Sequence, residues 1–358
     1  MRIKKALFLG TLCTAVSGMS LFAQAGVSYA KSAEKTTEAA SSEEAESEEE
    51  TSEEVTYPIT IEHAFGETVI ESKPERIATI GWENQDTPLA LGVAPVGVSA
   101  ANYGMVTDNN LHPWTDEAFA DLGVEKPVVF DDVDGLDFEQ ISDCNPDVIL
   151  AAYSGMTQED YDTLSEIAQV IPYKEKAWNT SWREQTIENA EGMGMKPEGE
   201  KKVKEVEDLI AEKLEEYPQL EGIPTAFCWI SADDFSTFYV YLPTDPRAAY
   251  LLDLGFTLPE SVQKLAGETD DFNITVSREN ADQLDDIQLM VVYGDEDLLK
   301  SLQEDKLMSQ IPAIKNGAVA LVDSTSALAG ACTPSILSIP YEIDEYLQLL
   351  SDAAENIK

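Results

Sequence analysis

The chain has 358 residues, 68 of them acidic and 23 basic, and its formal net charge at neutral pH is −45. A surface this negative repels phosphate backbones and anionic lipids, which argues against nucleic acid and anionic membranes as partners. About 300 residues follow the first 55, which is enough for two lobes with separate cores.

Residues 1–30 have the composition of an export signal. Basic side chains at Arg2, Lys4 and Lys5 precede an apolar stretch, which leads into the small-residue sequences AQA and SYA. We therefore predict that residues 1–30 are a signal peptide removed near one of these sites. The alternative, a membrane anchor that is retained, is disfavoured because Gly, Thr and Ser interrupt the apolar run. No later segment approaches the roughly 18 apolar residues that a membrane-spanning helix needs.

Residues 31–55 form an acidic segment, KSAEKTTEAASSEEAESEEETSEEV, with almost no large apolar side chain. Such a segment cannot bury enough apolar surface to offset the entropy that ordering would cost. We predict a disordered spacer here. The chain that follows still carries about 40 net negative charges.

Two later stretches repeat one pattern of strands and helices. In residues 74–100, an apolar run, a polar loop, a short helix ended by a glycine and a second apolar run follow one another. Residues 223–256 give strands, a loop and another helix ended by a glycine. The pattern predicts two lobes of similar plan, an N-terminal α/β lobe over 56–195 and a C-terminal α/β lobe over 219–358.

Residues 196–218 join the two predicted lobes. Apolar side chains recur there three or four residues apart, at Val203, Val206, Ile210 and Leu214. A proline in the first turn and another at the end bound this pattern. At about 1.5 Å per residue, such a helix spans roughly 30 Å, the width of a small domain. The spacing therefore predicts one long bridging helix.

The predicted strands are apolar without alternation, which is typical of parallel strands covered on both faces. Ligands of such sheets bind at the carboxyl ends of the strands. The residues near these ends are mostly aromatic: Trp82, Tyr103, Tyr153, the Tyr239/Tyr241 region and Tyr293. We predict ligand contacts for Trp82, Tyr103, Tyr153, Tyr239 and Tyr241. Rigid aromatic walls of this kind are typical of a small-molecule binding site.

Further aromatic side chains and two arginines lie in predicted loops. Trp114, Trp182, Arg183 and Arg247 belong to this group. A guanidinium among aromatic rings suits an anionic or oxygen-rich ligand, because it can donate paired hydrogen bonds. We predict ligand contacts for all four residues. The alternatives, core packing for the tryptophans and a solvent salt bridge for each arginine, stay open at this point.

The chain offers little for catalysis or for direct metal binding. It has no nucleophile elbow and no phosphate-binding loop, and its histidines, His63 and His112, are far apart in sequence. Cys144, Cys228 and Cys332 show no metal-ligand spacing; a Cys228–Cys332 disulfide and buried thiols are the two interpretations. A binding protein without catalytic residues, metal ligands or an intrinsic cofactor is therefore favoured over an enzyme.

Five blocks of the sequence occur in a characteristic order: KPERIATIGWENQDTPLALGVAPVGV, LDFEQISDCNPDVILAAYSG, SWREQTIENAEGMG, YLPTDPRAAYLLDLGF and IPAIKNGAVALVDS. As a set they resemble the iron-siderophore substrate-binding proteins of ABC importers, which share their fold with ferric-hydroxamate, ferric-catecholate and cobalamin binding proteins. The similarity covers roughly residues 57–350. It implies the class III fold: two α/β lobes with mainly parallel sheets flanked by helices, joined by one rigid helix, with a shallow ligand cleft between them.

The resemblance also implies a ligand and partners. The ligand would be an iron(III)-siderophore complex, in which the chelator already supplies the oxygen ligands and the protein recognises the rim. The partners would be an ABC permease and its ATPase, and we expect an extracytoplasmic monomer. Because basic residues are few, a near-neutral hydroxamate complex is favoured over a tri-anionic catecholate. The alternatives are a cobalamin or haem receptor of the same fold and, from another class, a secreted metalloenzyme or chelatase.

Docking on the permease is a further implication of the resemblance, because relatives present one acidic residue at the outer tip of each lobe. The block GWENQDTPLALG places the first of these at Asp86. In TDPRAAYLLDLG the matching position is Ala248, so Asp245 is the nearest candidate. Gram-positive relatives carry a lipidated cysteine after a Leu-x-small motif, whereas Cys13 follows LGTL, so the mode of anchoring stays open.

Overall fold

The computed structural model describes residues 55–132 and 135–358, and its first element is a β-hairpin. Strands β1 (Ile59–His63) and β2 (Gly66–Ile70) pair antiparallel, with Ile59 opposite Ile70. His63 is buried in this hairpin, where its Nε2 lies 2.9 Å from Thr68 Oγ1. The predicted export signal, and all but the last residue of the predicted acidic spacer, lie outside the described residues. Within the described ranges, no helix combines the length and the apolarity that crossing a membrane requires.

The N-terminal sheet is built from five parallel strands. They are β3 (Ile77–Thr79), β4 (Gly97–Ser99), β5 (Val129–Phe130), β6 (Val148–Ala151) and β7 (Gln169–Pro172), in the spatial order β5-β4-β3-β6-β7. Helices α1 (Asp86–Ala90), α2 (Pro113–Asp121), α3 (Phe138–Asp143), α4 (Gln158–Ser165) and α5 (Trp182–Gly192) lie between or after these strands. All four residues of β6 are buried, because helices cover both faces of a parallel sheet and leave no strand face for solvent.

A single long helix, α6 (Lys196–Leu214), follows α5 and leads to the second lobe. Its buried positions include Val203, Val206 and Ile210, which match the predicted spacing. Gly199 lets α6 approach α5 closely, because a β-carbon there would come within 2.5 Å of Ala190 Cβ. The helix ends four residues before the predicted boundary, and a turn and a 3-10 segment (Pro218–Leu220) follow it.

The C-terminal sheet also has five strands, and it is mixed. They are β8 (Thr225–Trp229), β9 (Thr237–Tyr241), β10 (Asn273–Ser277), β11 (Leu289–Tyr293) and β12 (Val319–Val322), in the order β10-β9-β8-β11-β12. β9 runs antiparallel to both β8 and β10. Only residues 230–236 connect β8 to β9, which is too short for the crossover that a parallel pair requires.

Helices cover the C-terminal sheet as well. They are α7 (Pro246–Asp253), α8 (Glu260–Ala266), α9 (Glu296–Glu304), α10 (Pro312–Asn316), α11 (Ala327–Ala331) and α12 (Ser338–Ala354), with 3-10 segments at Arg278–Gln283 and Met308–Gln310. Cys144, Cys228 and Cys332 are buried and unpaired, so the structure has buried thiols and no Cys228–Cys332 disulfide. The two lobes joined by α6 agree with the predicted fold class.

Candidate ligand-binding site

An aromatic cleft with a volume of about 400 Å³ lies between the two lobes. Eight of the eleven side chains that line it are aromatic. The lining residues are Trp82, Tyr103, Tyr153, Trp178, Trp229, Tyr241, Asp245, Arg247, Phe272, Tyr293 and Thr333. Five of the nine predicted ligand contacts are among them: Trp82, Tyr103, Tyr153, Tyr241 and Arg247.

Three of the aromatic side chains follow neighbouring strands of the N-terminal sheet. Trp82 comes after β3, Tyr103 after β4 and Tyr153 after β6, and these strands are adjacent. The Trp82 amide donates a hydrogen bond to the Tyr153 carbonyl oxygen at 3.1 Å. Gly81 permits this contact, since its φ is +83° and a β-carbon there would lie 2.7 Å from that oxygen. Strand order therefore gathers the three rings at one edge.

Trp178 adds a partly exposed wall near the cleft mouth. It lies in the loop between β7 and α5, with φ at +60°, and its ring packs edge-on against Tyr153 at a centroid distance of 5.2 Å. Gly155 makes room for it, because a β-carbon at that position would come within 2.5 Å of the indole nitrogen. The position of Trp178 thus depends on one small residue beneath the ring.

The C-terminal lobe supplies Trp229, Tyr241, Phe272 and Tyr293 from the ends of its strands or from the residue before a strand. Tyr239, also predicted as a ligand contact, lies on the same strand as Tyr241 but outside the lining set. It stacks on Trp229 with ring centroids 5.5 Å apart. Tyr239 therefore supports a cleft residue from the exposed side.

The cleft tyrosines are neutral hydrogen-bonding groups. Burial raises the pKa of Tyr103 to about 12, and burial also raises the pKa values of Tyr153, Tyr241 and Tyr293. Their hydroxyls stay protonated at neutral pH, so they add polarity to the walls without adding charge.

Arg247 and Asp245 are the charged side chains of the lining, and they are bonded to each other. The Nε and Nη2 atoms of Arg247 donate to the two Asp245 oxygens at 2.8 and 2.7 Å. Asp245 also caps α7 by accepting from the Arg247 amide at 2.9 Å. The guanidinium stacks on the Tyr241 ring, 4.0 Å from its centroid. Burial alone would lower the pKa of Arg247, but the Asp245 carboxylate holds it well above its usual value. The pair is therefore ionised and its local net charge is zero.

Arg183 and Trp182 do not line the cleft. Arg183 Nε donates to Glu207 of α6 at 2.6 Å, and its Nη1 donates to Asp253 of α7 at 2.7 Å. Trp182 is 2 % exposed, and its indole donates to the same aspartate at 3.1 Å. These contacts link three helices, so the structure corrects both predictions: core packing and a salt bridge are the roles that the contacts describe.

Asp86 and Trp114 are also buried away from the cleft. Asp86 is fully buried and accepts hydrogen bonds from Trp114 Nε1 at 2.9 Å, Thr115 Oγ1 at 2.8 Å and Ser335 Oγ. A carboxylate without exposed surface cannot face another protein, and Asp245, 2 % exposed, lies in the cleft wall. The structure therefore corrects the predicted docking roles of Asp86 and Asp245 and the predicted ligand contact of Trp114.

Four aromatic lining residues were not predicted as ligand contacts: Trp178, Trp229, Phe272 and Tyr293. The strand-end rule had already marked Tyr293, and it applies equally to Trp229, which ends β8. Phe272 precedes β10, and no sequence pattern marks it. In the described part of the chain, no group of three or more His, Cys, Asp or Glu side chains is arranged to hold a metal ion.

The family model for the periplasmic binding protein family matches residues 77–325. The chain belongs to this family. The predicted resemblance and the predicted fold class are thereby confirmed. Among solved structures, this chain is similar to Streptococcus pneumoniae TIGR4 PiaA in complex with ferrichrome. The two sequences are 47 % identical and the two structures superpose with a TM-score of 0.80, over 84 % of this chain and 100 % of that one.

Two further relatives are more distant. A curated Bacillus subtilis (strain 168) protein, the probable siderophore-binding lipoprotein YfiY, is 25 % identical over 237 residues, which cover 65 % of this chain and 67 % of the relative. Staphylococcus aureus SirA complexed with staphyloferrin B is 23 % identical, with a TM-score of 0.64 over 84 % of this chain and 99 % of that one. At that identity, the likeness to SirA concerns the fold alone.

Proposed function

We propose that this protein captures a ferric siderophore in the aromatic cleft and delivers it to an ABC permease. The observation that carries the proposal is a cleft lined by eight aromatic side chains, in which the charge of Arg247 is neutralised by Asp245. Membership of the periplasmic binding protein family and the relation to the ferrichrome complex of PiaA support it. The function is binding and delivery, and no catalytic step is part of it.

The chemistry of the cleft suits a metal that is already chelated. A siderophore supplies the hard oxygen ligands that ferric iron prefers, so the protein has only to recognise the outside of a bulky complex. Rigid aromatic rings pack against the apolar rim of such a complex at low entropic cost. The cleft tyrosines and the Arg247 guanidinium can donate hydrogen bonds to chelator oxygens.

The charge of the cleft favours a near-neutral hydroxamate complex such as ferrichrome. Arg247 is the cation among the lining residues, and Asp245 already occupies its Nε and Nη2. A ferric tris-catecholate carries three negative charges and would meet this neutral pair within a protein that is strongly negative overall. The 47 % identity with a ferrichrome-bound protein points to the same ligand class.

Location and assembly follow from the same proposal. The protein would act outside the cytoplasm as a monomer, with residues 1–30 as the export signal and residues 31–55 as an acidic tether. The lobes over 56–195 and 219–358, joined at 196–218, would deliver the ligand to the permease, with the ATPase on the other side of the membrane. Because Asp86 and Asp245 are buried, docking on the permease would use other acidic residues.

Titration of the purified protein tests the proposal. Ferrichrome should quench the fluorescence of the cleft tryptophans, and the quenching should saturate as expected for tight binding. A ferric tris-catecholate should bind more weakly at both low and physiological salt. Cobalamin and haem serve as competing ligands of other classes. Tight binding of the catecholate would overturn the ligand class, and binding of cobalamin or haem in place of both ferric complexes would overturn the siderophore function.

A further inference from the structure

A buried polar group lies directly behind the N-terminal wall of the cleft. Glu83 is 3 % exposed and His112 is 2 % exposed, and Glu83 Oε1 lies 3.2 Å from His112 Nδ1. The other ring nitrogen of His112, Nε2, lies 2.9 Å from the carbonyl oxygen of Tyr103. His112 also packs edge-on against the Trp82 ring, with centroids 5.3 Å apart. One imidazole thus contacts both Trp82 and Tyr103, two walls of the cleft.

The contacts limit where the protons of this group can be: either both groups are neutral, or an imidazolium pairs with an ionised Glu83. A carbonyl oxygen only accepts hydrogen bonds, so Nε2 of His112 carries a proton and donates it to Tyr103. In a neutral imidazole, Nδ1 is then an acceptor. It faces a carboxyl oxygen, and two acceptors at 3.2 Å repel each other unless one proton lies between them. A proton on Glu83 removes this repulsion, and neither carboxyl oxygen of Glu83 nor Nδ1 of His112 has another hydrogen-bond partner in the described part of the chain.

The surroundings favour this neutral arrangement. Burial raises the pKa of Glu83 well above its usual value, while the Ser335 hydroxyl partly opposes the rise. Burial lowers the pKa of His112, against the opposing effects of the Tyr103 carbonyl and of Asp86. Asp86 is the other carboxyl group that faces the pair; it accepts hydrogen bonds from three donors, and burial and then Glu83 raise its pKa to about 7. Tyr153, whose hydroxyl is neutral, is a further titratable neighbour of Glu83.

We propose that Glu83 and His112 are positioning residues for the ligand cleft: one proton held on Glu83 orients the imidazole, and the imidazole holds Tyr103 and Trp82 in place. The backbone agrees with a fixed arrangement, since Glu83 adopts a left-handed φ of +54°, which a non-glycine residue keeps only when its surroundings enforce it. The effect on ligand binding rests on the proposed function; the proton arrangement does not.

Histidine NMR tests the proton arrangement without any ligand. The chain has two histidines, so the ring ¹⁵N signals of His112 can be assigned by comparison with a His63→Gln variant. We expect a neutral, Nε2-protonated ring that does not titrate between about pH 5 and pH 8. An imidazolium, an Nδ1-protonated ring or titration near the ordinary histidine pKa would each overturn the proposal.

Matched variants test the positioning role. Glu83→Gln keeps a donor to Nδ1 without a titratable group, whereas Glu83→Met has similar size and no donor. We expect ferrichrome affinity within about threefold of the unmodified protein for Glu83→Gln and about tenfold weaker for Glu83→Met. Glu125→Met, at an exposed glutamate, is the control for substitution by methionine. The amide ¹⁵N signal of Gly104, which shares its peptide group with the Tyr103 carbonyl, should shift in Glu83→Met and not in Glu83→Gln.

The outcomes separate the two proposals. If the unmodified protein does not bind ferrichrome, the proposed function fails, while the His112 and Gly104 signals still decide the positioning role. If ferrichrome binds and Glu83→Met binds it normally while melting at a lower temperature, the pair only stabilises the fold and the positioning role is overturned. Rescue of both affinity and the Gly104 signal by glutamine supports it.

Discussion

Replacing Asp245 by asparagine should convert the neutral cleft into one that accepts anionic ligands. In the structure, the carboxylate holds Nε and Nη2 of Arg247 and cancels its charge. Asparagine has nearly the same shape and still caps α7, since Asn and Asp are similarly good N-cap residues. The substitution therefore removes one negative charge and frees Nη2, because an amide oxygen in the Oδ1 position still accepts from the Arg247 amide and Nε while the amide NH2 replaces the acceptor of Nη2.

The structure sets the size of both effects. Charge-assisted hydrogen bonds from the freed guanidinium contribute about 1.5 to 3 kcal/mol, so a ferric tris-catecholate should bind about ten- to a hundredfold more tightly. Ferrichrome, which is near neutral, should change by less than about threefold. Because Asp245 is 2 % exposed and the Arg247 side chain 21 %, the free energy of unfolding should fall by about 3 kcal/mol.

Tryptophan quenching with both ligands at low and physiological salt, together with urea unfolding, measures these changes. Asp253→Asn is the matched control, because Asp253 pairs with Arg183 outside the cleft lining. It should lower stability without changing the preference between the two ligands. If Asp245→Asn leaves the catecholate affinity unchanged, the guanidinium does not face the ligand and the argument from charge is refuted.

Three further substitutions probe ion pairing, packing and titration at residues outside the cleft lining. Arg183→Ala should lower the free energy of unfolding by about 1 kcal/mol and leave ferrichrome affinity unchanged, since its bonds join helices; a tenfold loss of affinity would contradict this. Gly330→Ala should destabilise by about 1 to 3 kcal/mol in urea unfolding, because its β-carbon would lie 2.8 Å from His112 Nε2; unchanged stability would mean that the two lobes separate easily here. Burial, and then Glu184, raise the pKa of Glu188 to about 8 from 4.5, so its native state binds a proton that the unfolded state releases. Stability is therefore lost as pH rises from about 4.5 to 8, and Glu188→Gln should stabilise by about 2 kcal/mol at pH 8 and not at pH 4; equal effects at both would exclude titration as the cause.

Most of the fold could be predicted because its signals are local and periodic. The three- and four-residue spacing of Val203, Val206 and Ile210 marks α6, and apolar runs mark the buried strands. Strand direction was less accessible: β9 is as apolar as β8, β11 and β12, which are parallel to one another, and yet it runs antiparallel to β8. The short connection at residues 230–236 was the relevant signal, and it can be read only once both strand ends are known.

The candidate site was predictable only in part, because a loop tryptophan can face either a cleft or a core. Trp178 and Trp182 are four residues apart, and only Trp178 lines the cleft. Ser181 and Glu184 form a capping box, which starts α5 at Trp182 and commits that residue to a helix packed on its neighbours. This motif was present in the sequence. The partners of buried polar groups could not be predicted from the sequence. A count of charges shows neither that Asp86 is buried nor which three donors it accepts hydrogen bonds from.

The contacts between the lobes differ in strength between the back of the cleft and its mouth. At the back, the buried Asp86 carboxyl group accepts from Ser335 of the other lobe, and separating them would leave one of its three hydrogen bonds unmade in the interior. At the mouth, Lys176 pairs with Asp270 through side chains that are 43 % and 86 % exposed, and such pairs contribute under about 1 kcal/mol. Movement that admits a ligand should therefore widen the mouth while the back stays closed. That asymmetry keeps the opening small, as a single rigid bridging helix requires.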